Sequence, residues 1–334
     1  MIERALELAQ KRAQGSEVSL VRSRSTSVEY EDDKLKQVGV AETSRLQIRV
    51  IVDGKLGRAE STDPEQVETV VARAVELAEF GSEASFEFPG PAAAPEVKTY
   101  DPGVQETPKE DLVTAGAEML DLIKAYNPEI KVFAGAGWSV GERRLLNSSG
   151  LDIGSRGSTF GMGAGGVLIR GTDVLMLYRD RDWRRREVVP RELAEQAIEQ
   201  FRLAERTAPL AAKQMPVILT PRGCIVLLMA LSMGLSGKNA LKGDSPLAGR
   251  LGERLAPEGF SLVDDGTIDY APASRAHDGE GVPHRRLAMI EDGVLKSFLY
   301  DLDTAAKAGT QSTGHGPGCD PSNVLIPPNT GSRP

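Results

Sequence analysis

EVSLVRSRSTSVEYE, residues 17–31, alternates small polar with apolar or β-branched residues and then meets Asp32-Asp33. A period of two with a turn signal at its end reads as an antiparallel strand. LKQVGV (35–40) and SRLQIRVIV (44–52) repeat the pattern, and Asp53-Gly54 supplies the next hairpin. Upstream, Ile2, Ala5, Leu6, Ala9 and Ala13 recur at helical spacing before Gly15, which fits a left-handed cap. Downstream, TDPEQVETVVARAVELAEF places Asp63 as N-cap and Pro64 at the first helical position. The order is helix, strand meander, helix.

That order returns after the proline-rich stretch FPGPAAAPEVKTYDPG (88–103), an extended linker. Thr107 to Glu110 forms a capping-box pattern for a helix through Ala125. Five short strands follow, at 130–140, 143–150, 151–159, 166–171 and 174–180, and a helix from Pro190 to about Arg206 closes the unit. The expected fold class is therefore α+β, with a duplicated helix–meander–helix module at 1–87 and 107–209 joined by a linker at 88–106. From 210 to 334 the texture changes. MPVILT (215–220) reads as a buried strand, Thr220-Pro221 opens an apolar helix to about Ser236, and FSLVDDGTIDY and RRLAMIEDGVLKSFLYD read as hairpins. This segment is expected to be a mostly antiparallel β domain with a buried helix.

Lys and Arg total 40 against 48 Asp and Glu, a net charge of −8, so general attraction to a phosphate backbone is not a surface property. The longest apolar run, Cys224 to Leu235, is shorter than the roughly 20 residues of a membrane-spanning helix. The N-terminus lacks the apolar core of an export signal, and two cysteines make neither a disulfide framework nor a CxxC pair. A cytoplasmic location is expected.

Several motifs compete with plainer readings. GMGAGG (161–166) satisfies GxGxxG, but VLIR follows where a dinucleotide site needs a helix, so glycine-rich strand packing is preferred. RDRDWRRRE (179–187) could grip nucleic acid through Arg184, Arg185 and Arg186, yet the interleaved acids favour a solvated hairpin end. HDGEGVPH (277–284) holds two of the three histidines with Asp278 and Glu280. Its Gly and Pro residues forbid helical i, i+4 ligation, and an extended chain would separate His277 from His284 by roughly 20 Å. A carboxylate-bearing turn is the plainer reading. STGHGPG (312–318) offers Ser312, Thr313, Gly314 and His315 as a structural or ligand-lining loop.

Residues VDDGTIDYAPASRAHDGEGVPHRRLAMIEDGVLKSFLYD, AAKAG and STGHGPG, with GRAEST and NSSGLDIG further upstream, resemble the TldD/PmbA family, once described as modulators of DNA gyrase. The resemblance implies a relative of zinc metallopeptidases that process peptides. In the family, a catalytic TldD-type subunit pairs with a PmbA-type subunit, also called TldE. Catalytic members carry HExxxH on the helix before a GxxGE segment. Counting back from Gly252-Glu253 places Leu228, Met229 and Met233 at those positions. Alkyl and thioether groups neither hold zinc nor take a proton from metal-bound water. The family's zinc-ligating cysteine belongs to closing strands beyond IPPNTGSRP, which implies a C-terminal truncation, and Cys319 does not match it.

The resemblance thus implies a non-catalytic PmbA/TldE-type subunit with no catalytic or metal residue and no cofactor of its own. Zinc is expected in a TldD-type partner, and an unfolded peptide is the expected substrate of the complex. Asp278, Glu280, Gly281, Ser312, Thr313, Gly314 and His315 are the candidate peptide- or partner-binding residues. Two rivals stand beside it. One is a free-standing homodimeric hydrolase using His277, Glu280, His284 or His315. The other is a binding module for a nucleic-acid enzyme through Arg184 to Arg186.

Overall fold

The computed structural model describes residues 1–205 and 208–328. Its largest feature is a six-stranded antiparallel sheet formed by β1 (Gly15–Glu31), β2 (Lys34–Val52), β3 (Lys55–Ser61), β4 (Lys131–Asn147), β5 (Asp152–Arg170) and β6 (Asp173–Trp183). The strand order is β3-β2-β1-β4-β5-β6, so two meanders meet along β1 and β4, from Glu17 opposite Asn147 to Tyr30 opposite Ala134. Helices α1 (Ile2–Gln10) and α2 (Val67–Ala78) flank the first meander. Between the meanders lie α3 (Pro102–Gln105) and α4 (Lys109–Tyr126), and α5 (Pro190–Ala204) closes the second. The duplication expected from element order is present as two meanders sharing one sheet.

The strands are longer than the sequence pattern suggests, because the polar stretch Ala41–Arg45 continues β2 instead of breaking it. The reason lies in the burial along β1, which is buried at both ends and exposed in the middle. Val18 joins Leu46, Ile48, Val50 and Leu146 beneath α1 and α2. Val28 and Tyr30 join Val132, Phe160 and Met119 beneath α4 and α5. β1 and β4 therefore run through both cores, and the polar middle of β1 bridges them. Full burial of side chains such as Phe160 or Leu46 contributes about 1.5–3 kcal/mol each.

Several local signals resolve differently. Gly15 is the first residue of β1, and α1 ends at Lys11 with a right-handed cap. Asp63 accepts from the Glu65 N–H, and its other oxygen from the Gln66 side chain, so α2 starts only at Val67. Thr107 donates to the Gly103 carbonyl at 3.2 Å instead of capping α4, leaving that capping box unmade. GMGAGG lies inside β5, where Gly161 pairs with Gly137 and Gly163 with Gly135. A Cβ at Gly165 would fall within contact of the Leu177 carbonyl of β6, so the glycines serve close strand packing.

Beyond residue 210, β7 (Leu262–Asp265), β8 (Arg286–Glu291), β9 (Val294–Leu295) and β10 (Val324–Leu325) make a second antiparallel sheet, ordered β10-β7-β8-β9. Helices α6 (Ile225–Leu235), α7 (Gly237–Lys242) and α8 (Leu302–Lys307) accompany it. A third core gathers Leu235, Leu262, Met289, Leu295 and Phe298. The α+β class holds, with two departures within this segment. MPVILT forms no strand and leaves Val217 and Ile218 exposed, for no described strand pairs with it. Helix α6 is not buried as expected. Its last residue, Leu235, enters the third core and Leu228 and Leu231 lean on it, while Met229 and Met233 are 62% and 67% exposed.

Candidate functional site

HDGEGVPH folds back on itself, since Asp278 N–H donates to the Val282 carbonyl, His284 N–H to the Ala276 carbonyl, and His277 bridges Pro283. The extended separation of the two histidines is thereby replaced by a tight turn. Asp278 organises it. One carboxylate oxygen accepts the N–H groups of Glu280 and Val282, both at 2.9 Å, and the other accepts Gly316 N–H at 2.7 Å from the STGHGPG loop. Gly279 N–H returns a bond to the Gly316 carbonyl at 2.7 Å. The two motifs, far apart in sequence, are one hydrogen-bonded unit.

Its positive-φ glycines are fixed by space. A Cβ at Gly281, φ 85°, would press into Leu151, and one at Gly314, φ 81°, into the Pro283 carbonyl. Ser312 Oγ and Thr313 Oγ1 both meet the Tyr300 carbonyl at 3.1 Å, which ties the loop to the residue before the Asp301-capped helix α8. Asp278, Glu280, Gly281, Thr313, Gly314 and His315 are buried, and Ser312 is half-buried. The candidate residues hold the turn and loop together, and Asp278 and Glu280 reach the floors of two separate clefts.

His315 sits at the centre. Its Nδ1 lies 2.9 Å from Thr313 Oγ1 and its Nε2 2.8 Å from Asp264 Oδ1. Asp264 also accepts Ser322 Oγ–H and N–H, both at 2.6 Å. Among the described residues, Asp264, His284 and His315 form one group whose donor atoms lie within 4.8 Å of one another. The residue types are those that bind zinc, but their arrangement here does not fit it. Tetrahedral ligands at roughly 2.0–2.1 Å from the metal stand about 3.3 Å apart, whereas the His315 and Asp264 atoms are in direct hydrogen-bond contact. Arg275 Nε–H donates to His284 Nε2 at 2.8 Å, so a neutral ring carries its proton on Nδ1, which is buried with no hydrogen-bond partner among the described residues. Burial and the neighbouring Arg275 guanidinium pull His284 down to about 4, which keeps it neutral. The arrangement is a buried hydrogen-bond knot.

Glu280 extends the unit to the first meander. Its Oε1 accepts from Arg49 at 2.8 Å, Arg49 Nε donates to Glu17 at 2.7 Å, and Glu280 Oε2 accepts Leu302 N–H at 2.9 Å. All three charged side chains are buried. Burial pushes the Glu17 carboxyl upward, and Arg49 only partly opposes this. Sequence reasoning missed Glu17, Arg49 and Asp264. The available signal was SRLQIRVIV itself, where both faces of the strand end are buried and one inward position is an arginine.

Asp278 gives a pH prediction. Burial, outweighing its three amide donors, raises its carboxyl from 3.8 to about 6. The unfolded chain therefore ionises first, so this contribution to stability is complete below about 3.8 and is lost as pH rises through about 6. The stability advantage of the wild type over Asp278→Asn should shrink by about 2 kcal/mol between pH 4 and pH 7, at 1.36 kcal/mol per pKa unit. Denaturant titrations of both proteins across that range measure it.

The arginine run also finds internal partners. Arg186 pairs with Asp111 at 2.9 Å, Arg185 lies over the Tyr270 ring, and Arg184 enters a cleft beside Asp278. On α6, the side chains at 228, 229 and 233 present no imidazole, thiolate or carboxylate.

Three family models of the PmbA/TldA metallopeptidases match the chain, as domain 1 over residues 16–78, the central domain over 102–201 and the C-terminal domain over 212–334. The chain belongs to the PmbA/TldD family. It is 28% identical to protein MJ0231 of Methanocaldococcus jannaschii, over 97% of this chain and 78% of that one. It is 26% identical to a metalloprotease of Methanothermobacter thermautotrophicus, over 88% of this chain and 66% of that one, just under two thirds of the relative's length. The crystal structure of TldE from Thermococcus kodakarensis superposes with a TM-score of 0.86 at 27% identity, covering 99% of this chain and 78% of that one. Within the described residues no helix is long and apolar enough to cross a membrane.

Proposed function

We propose that this member of the PmbA/TldD family acts as a non-catalytic, TldE-type subunit that pairs with a zinc-bearing TldD-type subunit in the cytoplasm and helps enclose an unfolded peptide. The observation that carries the reading is α6. Aligning its Leu228, Met229 and Met233 with HExxxH leaves no donor for zinc and no base for water. The outward, apolar presentation of Met229 and Met233 suits a surface that another subunit covers. The likeness to a TldE structure supports the same assignment. A peptide held in such an enclosure would be gripped mainly through its backbone, giving loose sequence preference.

The burial of Glu280, His284 and His315, three of the four residues it would use, argues against the free-standing hydrolase, because a nucleophile or base must reach substrate. The ion pairs of Arg186 and the interior position of Arg184 argue against a nucleic-acid grip. Tagged chain expressed in its native cell should capture a protein bearing HExxxH. Recovery of the chain alone or only with itself would refute the pairing.

A further inference from the structure

The cleft beside Asp278 has a volume of about 490 Å3, within the range of small-ligand sites. The linker segment at 97–100 walls it, pinned by Tyr270 N–H to the Lys98 carbonyl at 2.8 Å and Ser158 N–H to the Thr99 carbonyl at 3.0 Å. Its remaining walls come from β4, β5 and the 270–278 segment. Four arginines line it; Arg156 is paired with Glu142, which leaves the guanidinium groups of Arg143, Arg184 and Arg275.

None of the three has a carboxylate partner among the described residues. Arg143 donates to Ser19 Oγ at 2.9 Å and to the Asp278 and Gly279 carbonyls at 3.4 and 2.6 Å. Arg184 makes only long contacts, 3.3 Å to the Ser158 carbonyl and 3.4 Å to the Ser274 carbonyl, and its Nε is buried with no acceptor. Arg275 spends Nε on His284. The sole carboxylate lining the cleft, Asp278, has its oxygens occupied by three backbone N–H groups. Desolvation, with repulsion from Arg275, depresses Arg143 and Arg184, and Arg49 adds to it at Arg143, a cost that an entering anion would relieve.

We infer that this cleft binds a carboxylate of a peptide, through the forked donors of Arg184 and Arg275 with Arg143 behind them. The identity of the ligand as a peptide rests on the proposed function. Guanidinium forks match planar carboxylates in two-point fashion, and the aromatic side chains of Tyr100 and Tyr270 give the adjoining residue an apolar wall. The chain's net charge of −8 disfavours long polyanions, whereas this cleft sets four arginines against one carboxylate.

Calorimetric titration of the full chain tests it, with four probes. These are trialanine as the free acid, its C-terminal amide, an end-blocked peptide with a central Glu and the same peptide with Gln. Preference for the free acid over the amide assigns a chain terminus, and preference for Glu over Gln assigns an acidic side chain; either supports the site. Arg184→Gln should then weaken binding about tenfold or more, as loss of charged hydrogen bonds does. Thermal stabilisation of the unaltered chain by the favoured probe gives a reading independent of any variant. Binding blind to carboxylate charge, absence of binding, undiminished binding in Arg184→Gln, or inorganic phosphate outcompeting every carboxylate would overturn the site. Partner capture is a separate readout, so a failed subunit pairing and a failed carboxylate site are told apart.

Discussion

Arg49→Leu should cost the fold about 3–5 kcal/mol, the range found when one member of a buried ion pair is removed. Arg49 stands between Glu17 of β1 and Glu280 of the C-terminal segment, with distances of 2.7 and 2.8 Å and no member exposed to water. Taking away the cation leaves two buried carboxylates facing each other. Leucine preserves some of the packing against Phe88, over whose ring the guanidinium sits, so the loss is chiefly electrostatic. Replacing all three residues together, as Glu17→Gln, Arg49→Leu and Glu280→Gln, should recover much of the deficit because no charge remains stranded. Chemical unfolding of the single and triple variants distinguishes this from simple loss of volume. A single-variant effect below about 1 kcal/mol would mean the triad does not join the first meander to the C-terminal segment in the way described.

His315→Ala should cost a comparable amount, about 3 kcal/mol, and should leave no enzymatic phenotype in the isolated chain. The imidazole links Thr313 to Asp264, and Asp264 is fully buried with Ser322 as its other side-chain partner among the described residues. Its deletion removes a hydrogen bond to a buried charged group and opens a cavity beside His284, whose ring meets His315 edge-on at 5.4 Å between centroids. The free-standing hydrolase requires the opposite pattern, a folded variant that has lost peptidase activity. Thermal unfolding and a peptide-cleavage assay on the same preparation separate the two.

How much was legible in the sequence varies with the range of the interactions. The duplicated meanders could be read because each strand's alternation and each Asp-Gly or Asp-Asp turn is local, as at Asp32-Asp33 and Asp53-Gly54. The continuity of β2 through Ala41–Arg45 could not, since its exposed centre carries no apolar period and is held by pairing with β1 alone. The Asp278 turn was visible as a turn, but its union with the 312–318 loop depends on a bond to Gly316 that spans 38 residues. Arg49 lay hidden for the same reason, as its partner Glu280 is 231 residues away. The burial expected of α6 failed because apolar content fixes what a helix would cover, and nothing in the described chain lies over its outer face.

The capping signals failed for a different reason. Asp63 and Thr107 each found a nearer acceptor or donor, in the Glu65 turn and the Gly103 carbonyl, and local side-chain bonds of this kind compete directly with helix caps. The arginine at 184 likewise looked like part of a solvated run until the fold turned it into a cleft while Arg186 paired with Asp111.

The most direct test of the account is the metal content of the purified chain after expression in zinc-supplemented cells, followed by passage through a mild chelating resin. With Leu228, Met229 and Met233 on α6, His315 bonded to Asp264 and His284 Nε2 taken by Arg275, the chain should retain only trace zinc and cleave no peptide. Stoichiometric zinc retained by the chain alone, together with peptide cleavage that a strong chelator abolishes, would contradict it.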